Sequence, residues 1–156
     1  MGTTKRSKIL KQAAQLESKK PLVKLTATEI EALGLTDDSK ENAFLAFKYF
    51  QPEYQCFSEW QTDELRAFSQ FIKKICAMTW VQIISSGGQV GQKQGLGCTV
   101  HKNTNKLPNQ ELLNTLSKDL TFMELRITDK ARVHGFRLKS AFFLIWLDRN
   151  HDIYPQ

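Results

Sequence analysis

Apolar and polar residues alternate most regularly near the C-terminal end of the chain. Residues 122–127, 131–138 and 141–148 each read as a strand, because successive side chains of an extended chain fall on opposite faces. In the first, Phe122, Glu124 and Arg126 share one side, while Met123, Leu125 and Ile127 share the other, which is the core side. In the second, Arg132, His134 and Phe136 oppose Val133, Gly135 and Arg137. The third is apolar on both faces over residues 142–147 and is expected to be internal. Lys139 and Ser140 supply a tight hairpin. That turn sets Arg132, His134 and Phe136 on the face of Phe143, Ile145 and Leu147, and a slip of one residue exchanges these neighbours. Gly135 leaves space in mid-strand for a ligand or another backbone.

Upstream the period changes. Leu65, Phe68, Phe71, Ile72, Ile75 and Cys76 recur at helical spacing behind Ser58 and Gln61, a capping-box pair. Cys76 is expected in the core. Thr79 predicts the cap of a second short helix through Ile84, and Thr26 with Glu29 caps one or two turns that Gly34 stops. Residues 43–50 read as a central strand ended by Pro52. Residues 96–101 suit a short strand, and Pro108 opens a helix over 108–120 with Leu112, Leu113 and Leu116 on one side. A short edge is expected at 152–154. Clustered strands with helices grouped on one face make a small α+β domain around an antiparallel sheet, spanning residues 42–156. Residues 1–41 form an N-terminal extension, with a weak helix pattern at Ile9, Leu10, Ala13, Ala14 and Leu16.

Charge refines this division. The chain of 156 residues carries a net +6, and residues 1–25 hold all of it, with seven basic residues against Glu17. The remaining body is neutral. A basic arm tracks phosphate through counterion release or serves as a solvated tail. Within the body, residues 126–139 form a separate strip of net +4, from Arg126, Lys130, Arg132, Arg137 and Lys139 against Asp129. Basic side chains between Phe and Trp suit RNA phosphates and unstacked bases. The same strip also suits a solvated sheet face.

Other chemistries find little support. Cys56, Cys76 and Cys98 are widely spaced, as expected of reduced thiols in a cytoplasmic protein. The basic start has no apolar stretch behind it, so no secretory leader is expected, and no apolar run suits a membrane span. Gly87, Gly88, Gly91, Gly95 and Gly97 match neither phosphate-loop pattern and read as a surface loop. His101, His134 and His151 lack Cys or acidic partners at ligand spacing, so neither a metal site nor a cofactor is expected. His134 in a strand, and His151 in a turn three residues before Tyr154, are the candidates for proton transfer.

The terminal meander resembles the RelE/ParE toxin superfamily. The residues in question are Leu125-Arg126-Ile127, Arg132-Val133, the aliphatic and aromatic run at 142–147, and the ending with Arg149, His151 and Tyr154. The chain is also similar to small proteins of prophages and mobile elements that share an Arg-Val-His-Gly-Phe strand and a Trp-apolar-Asp-x-x-His ending. The resemblance implies a strand, a helical pair and an antiparallel sheet. It further implies metal-independent endoribonuclease chemistry on RNA or the ribosome, and a cognate antitoxin as partner. By position, His134, His151 and Tyr154 would be catalytic, and Arg126, Lys130, Arg132, Arg137, Lys139 and Arg149 would bind RNA. Other members of the fold inhibit gyrase instead. A reading from a different class is a non-catalytic module that binds nucleic acid or protein through its arm.

Overall fold

A computed structural model describes residues 25–87 and 95–155. The helix pattern at 9–16 and most of the glycine-rich loop lie outside these residues. The described chain is α+β. Five strands, β1 (Phe44–Ala46), β2 (Thr99–Val100), β3 (Thr121–Arg126), β4 (Arg132–Leu138) and β5 (Ala141–Asp148), form one sheet in the order β1-β5-β4-β3-β2. β1 runs parallel to β5, and the other neighbours are antiparallel. The helices are α1 (Ala27–Ala32), α2 (Thr62–Cys76), α3 (Trp80–Ser85) and α4 (Gln110–Thr115). Among the described residues no helix is long and apolar enough to cross a membrane.

The three terminal strands follow the alternation of the sequence. Upstream the structure departs from it. Residues 43–50 do not make a central strand: β1 is a three-residue edge. Beyond Ala46 the chain turns, with the Phe50 amide donating to the Phe47 carbonyl at 3.0 Å. The cap of α2 is Gln61 with Glu64, rather than Ser58 with Gln61. Phe57 packs edge-on against Trp60 and Phe68, and the Trp60 indole donates to the Gln55 carbonyl at 3.0 Å. These contacts hold residues 57–59 in a separate 3-10 turn, so the helix starts one turn later. The helix from Pro108 is also shorter. Asn109 caps it, Leu116 leaves it in an extended conformation, and the Ser117 hydroxyl accepts the Asp119 amide in a competing turn. Residues 152–154 form no strand, and 153–154 make a bend.

Helices cover both faces of the sheet rather than one. On the first face, Phe68, Phe71 and Ile75 of α2 and Trp80 and Ile83 of α3 pack on Met123, Leu125, Val133, Phe142, Leu144 and Leu147. The second face gathers Phe122, Phe136, Phe143, Ile145 and Trp146 beneath Leu35, Tyr49, Tyr54, Leu112 and Leu113. Residues 25–41, assigned to the extension by sequence, pack onto this body. Leu35 is buried, and the Thr36 amide donates to the Ser140 hydroxyl at 3.1 Å.

Cys76 is exposed on α2, contrary to its expected place in the core, whereas Cys98 is buried. Burial, aided by the Glu124 charge, pushes the Cys98 thiol up to about 11. Iodoacetamide at about pH 8 should therefore label native Cys76 and spare Cys98, because the thiolate is the nucleophile. Peptide mass spectrometry reads the result. Equal labelling of both cysteines in the native state would show that β2 does not protect Cys98.

Candidate functional site

The second face changes character along its strands. Register pairs Phe122 with Phe136, Glu124 with His134, and Arg126 with Arg132. One end of the face is thus an aromatic core, the next row is an acid and an imidazole, and the last is a pair of arginines. His134 is fully buried, and Glu124 and Arg132 are nearly so.

A β-bulge completes the cluster. Gly135 pairs with Leu144 but His134 pairs with Trp146, so β5 carries one extra residue, Ile145, between them. The Ile145 carbonyl accepts the Gln51 amide at 2.8 Å. Regular pairing through this point would put Leu147 on the face of His134 and turn Asp148 away. With the bulge, Leu147 goes to the first face, against α2 and α3, and Trp146 and Asp148 join His134 and Arg132. Gly135 permits the approach: a methyl group there would overlap the Phe143 carbonyl oxygen and stand 2.9 Å from its carbon. The space left by Gly135 is therefore filled by another backbone.

Asp148 has two roles. One oxygen lies 3.0 Å from His134 Nε2, and its carboxylate accepts the amides of Asp152 and Ile153 at 2.8 and 3.3 Å. Burial pushes this carboxyl up, but the hydrogen bonds from His134 and the two amides outweigh it and hold the group below the usual carboxylate range. The same side chain thereby orients an imidazole and ties down the turn that carries His151 and Tyr154. His151 occupies that turn with φ 58°, in the left-handed region.

His134 Nδ1 faces His101 Nε2 at 2.9 Å. His101 follows β2, and its amide continues the pairing with β3 through the Phe122 carbonyl. Burial, and then the nearby His134, pull His101 down to about 4, so its ring is neutral at pH 7. Its other side is stacked on Tyr154, with ring centroids 4.4 Å apart. The Tyr154 hydroxyl donates to the Asn103 carbonyl, and burial raises the phenol. Asp148, His134, His101 and Tyr154 thus form one continuous row.

Glu124 sits beside this row. Its Oε1 is 3.7 Å from His151 Nε2 and 3.9 Å from Arg132 Nε. Glu124 Oε2 and His151 Nε2 are buried and find no hydrogen-bond partner among the described residues. Arg132 is held by the carbonyls of Thr128, Asp129 and Ala131, at 2.9, 3.3 and 3.1 Å. A carboxylate, an imidazole and a guanidinium therefore converge with donor and acceptor capacity to spare.

Of the residues expected from sequence, His134, His151, Tyr154 and Arg132 come together. Arg126 lies at the same end, packed over Gly97, with its Nε buried and unpartnered among the described residues. Lys130 is exposed in the turn between β3 and β4. Arg149 follows β5 and donates to both oxygens of Glu64, at 3.0 and 2.7 Å. Arg137 and Lys139 lie at the opposite end of β4, roughly 17 Å from Arg132 at the usual strand rise. Arg137 stacks on Trp80, and Lys139 pairs with Asp37 at 2.8 Å. The +4 strip is thus two separate groups. The sequence reading passed over Glu124 and Asp148 and ranked His101 low. Glu124 carried a signal, because it shares a strand side with Arg126 and lies away from the core side.

No family model, curated protein or solved structure matches this chain.

Proposed function

We propose that the protein is an RNA-directed, metal-independent endoribonuclease of the RelE-like kind, belonging to a toxin–antitoxin or prophage module. One observation carries the reading: Glu124 stands between His151 and Arg132, within 4 Å of each, with a buried oxygen free to accept. An RNA strand is cleaved by its own 2′-hydroxyl. A base takes the hydroxyl proton, the new bond from O2′ to phosphorus forms as the bond to O5′ breaks, and an acid protonates the departing oxygen. A fixed cation stabilises the charged phosphorane. Glu124 serves as the base, His151 as the acid, and Arg132 as the cation. His134 and Tyr154 border the reacting groups, with His134 fixed by Asp148. Arg126, Lys130 and Arg149 neutralise flanking phosphates at the same end of the sheet. The products are a 2′,3′-cyclic phosphate and a 5′-hydroxyl. The succession of β1, the α2–α3 pair and the terminal β3–β5 meander, with α1, β2 and α4 added to it, also supports the RelE-like reading.

The test is an RNA cleavage assay on the full chain, with and without ribosomes and in the presence of EDTA. Cleavage is expected in at least one setting, and EDTA should not abolish it. A substrate lacking the 2′-hydroxyl at the scissile position should resist. Glu124→Gln and His151→Ala should each slow cleavage by about 10²–10⁴-fold, the range for removing a general acid or base, without loss of the folded state. Expression of the intact chain should inhibit growth. Absence of cleavage in both settings, together with normal growth, would overturn the proposal.

A further inference from the structure

We infer that the His101, His134 and Glu124 cluster is also a binding site for a single first-row transition cation, for which Zn²⁺ is the probe. The scattered histidines gave no ligand spacing in the sequence, yet the sheet brings them together. One ligand atom from each of the three residues lies within 4.8 Å of the others. The inference goes beyond RNA cleavage and stands on geometry alone.

Asp148 accepts from His134 Nε2, so Nδ1 is the ring atom left for a second partner. That nitrogen faces His101 Nε2 at 2.9 Å. Two imidazole nitrogens cannot stay at this distance with both lone pairs facing. Either one ring supplies a proton to the other, or a cation takes the place of that proton. Two nitrogens bound to a tetrahedral zinc at the usual 2.0–2.1 Å stand roughly 3.3–3.4 Å apart, about 0.4 Å more than the observed separation. The rings are 16° from coplanar with centroids 5.1 Å apart, so the nitrogens now point at each other. A cation would draw them off that line, and half-buried His101 is the ring with room to swing.

Two further features favour a cation. Glu124 has a side chain only 8% exposed, and its Oε2 has no hydrogen-bond partner among the described residues. A buried polar oxygen left so is costly, and a cation satisfies it. Asp148 behind His134 is the carboxylate that metal-bound imidazoles ordinarily carry, fixing the ring and its tautomer. Two imidazoles and a carboxylate suit zinc with a fourth position open. Where the RNA reading also holds, the ion would engage Glu124 and inhibit cleavage; that clause alone rests on the RNA reading.

The experiment needs no RNA. Metal-stripped full-length protein is titrated with Zn²⁺ by calorimetry, and Co²⁺ is used to read visible ligand-field bands. One equivalent should bind with micromolar or tighter affinity, and the Co²⁺ spectrum should be that of a four- or five-coordinate site. Glu124→Gln, which preserves shape, and His101→Ala, at a half-buried position, should each weaken binding at least tenfold. Asp148→Asn should weaken it about 10–100-fold, as for other partners behind a metal-bound imidazole. No stoichiometric binding, or binding unchanged in both Glu124→Gln and His101→Ala, would overturn the inference. Metal binding by a protein that cleaves no RNA would sink the RNA reading and leave this one standing.

Discussion

Replacing Gly135 by alanine is expected to destabilise the protein by about 3 kcal/mol or more. The new methyl group meets backbone first: the Phe143 carbonyl oxygen falls inside its radius, and the buried Phe142 ring stands at 3.0 Å. Neither can retreat, because both strands are internal and every residue of β5 is buried. Relief would require pushing β4 and β5 apart at the bulge, which would also move His134. For a domain of this size the thermal midpoint should fall by roughly 10 °C. Circular dichroism melts provide the measurement. A midpoint within a degree or two of the native protein would show that the strands separate without cost.

Asp148→Ala should be comparably severe, for a different reason. The side chain accepts from the His134 ring and from the amides of Asp152 and Ile153. Its removal leaves a buried imidazole without its acceptor and releases the turn after β5. Breaking a buried pair of this kind costs about 3–5 kcal/mol. Asp148→Asn keeps the shape but brings donors where acceptors are needed, and should fall between alanine and the native residue. Urea unfolding gives the free energy. Hydrogen exchange gives the location: the Asp152 and Ile153 amides should lose protection in both variants, beyond the loss at sheet amides. If protection at 152 and 153 stays native in Asp148→Ala, the turn is held by its other contacts and this account of Asp148 is wrong.

These two positions also mark where the sequence stops being readable. The strands themselves were legible from alternation, and the pairing of Phe136 with Phe143 and of Arg137 with Phe142 follows from the Lys139-Ser140 turn. Beyond Gly135 the pattern falls silent, because β5 is apolar on both faces. An alternating strand states its phase, whereas a strand with no polar residue states none. The bulge was therefore invisible, and with it the face on which Asp148 lies. The interruption at 57–59 escaped notice because Ser58 and Gln61 are spaced like a cap, while the aromatic packing of Phe57 that displaces the helix is a tertiary effect. The basic strip was legible as charge but not as geometry. Its members are close in sequence, yet the length of β4 carries Arg137 and Lys139 away from Arg132. His101 lies 33 residues before His134, and only the pairing of β2 with β3 brings it alongside.

The extra residue at Ile145 has one more consequence. Two combs with the same teeth mesh differently when one is advanced by a single tooth, and here the advance decides whether a chemistry exists at all. Deleting Ile145 would leave the composition, the charge and the apolar character of the strand nearly unchanged. It would nevertheless remove the bulge and let Trp146, Leu147 and Asp148 pair regularly with His134, Val133 and Arg132, so Asp148 would stay on the face of His134 while the Gln51 amide lost the carbonyl that the extra residue supplies. The bulge is therefore as much a part of the site as the side chains are, because with Ile145 present only the doubled residue keeps Asp148 in phase with His134. A related chain one residue shorter here should keep the cluster on a regular ladder, whereas one that keeps every residue of β5 and pairs them regularly should retain the sheet and lose the cluster.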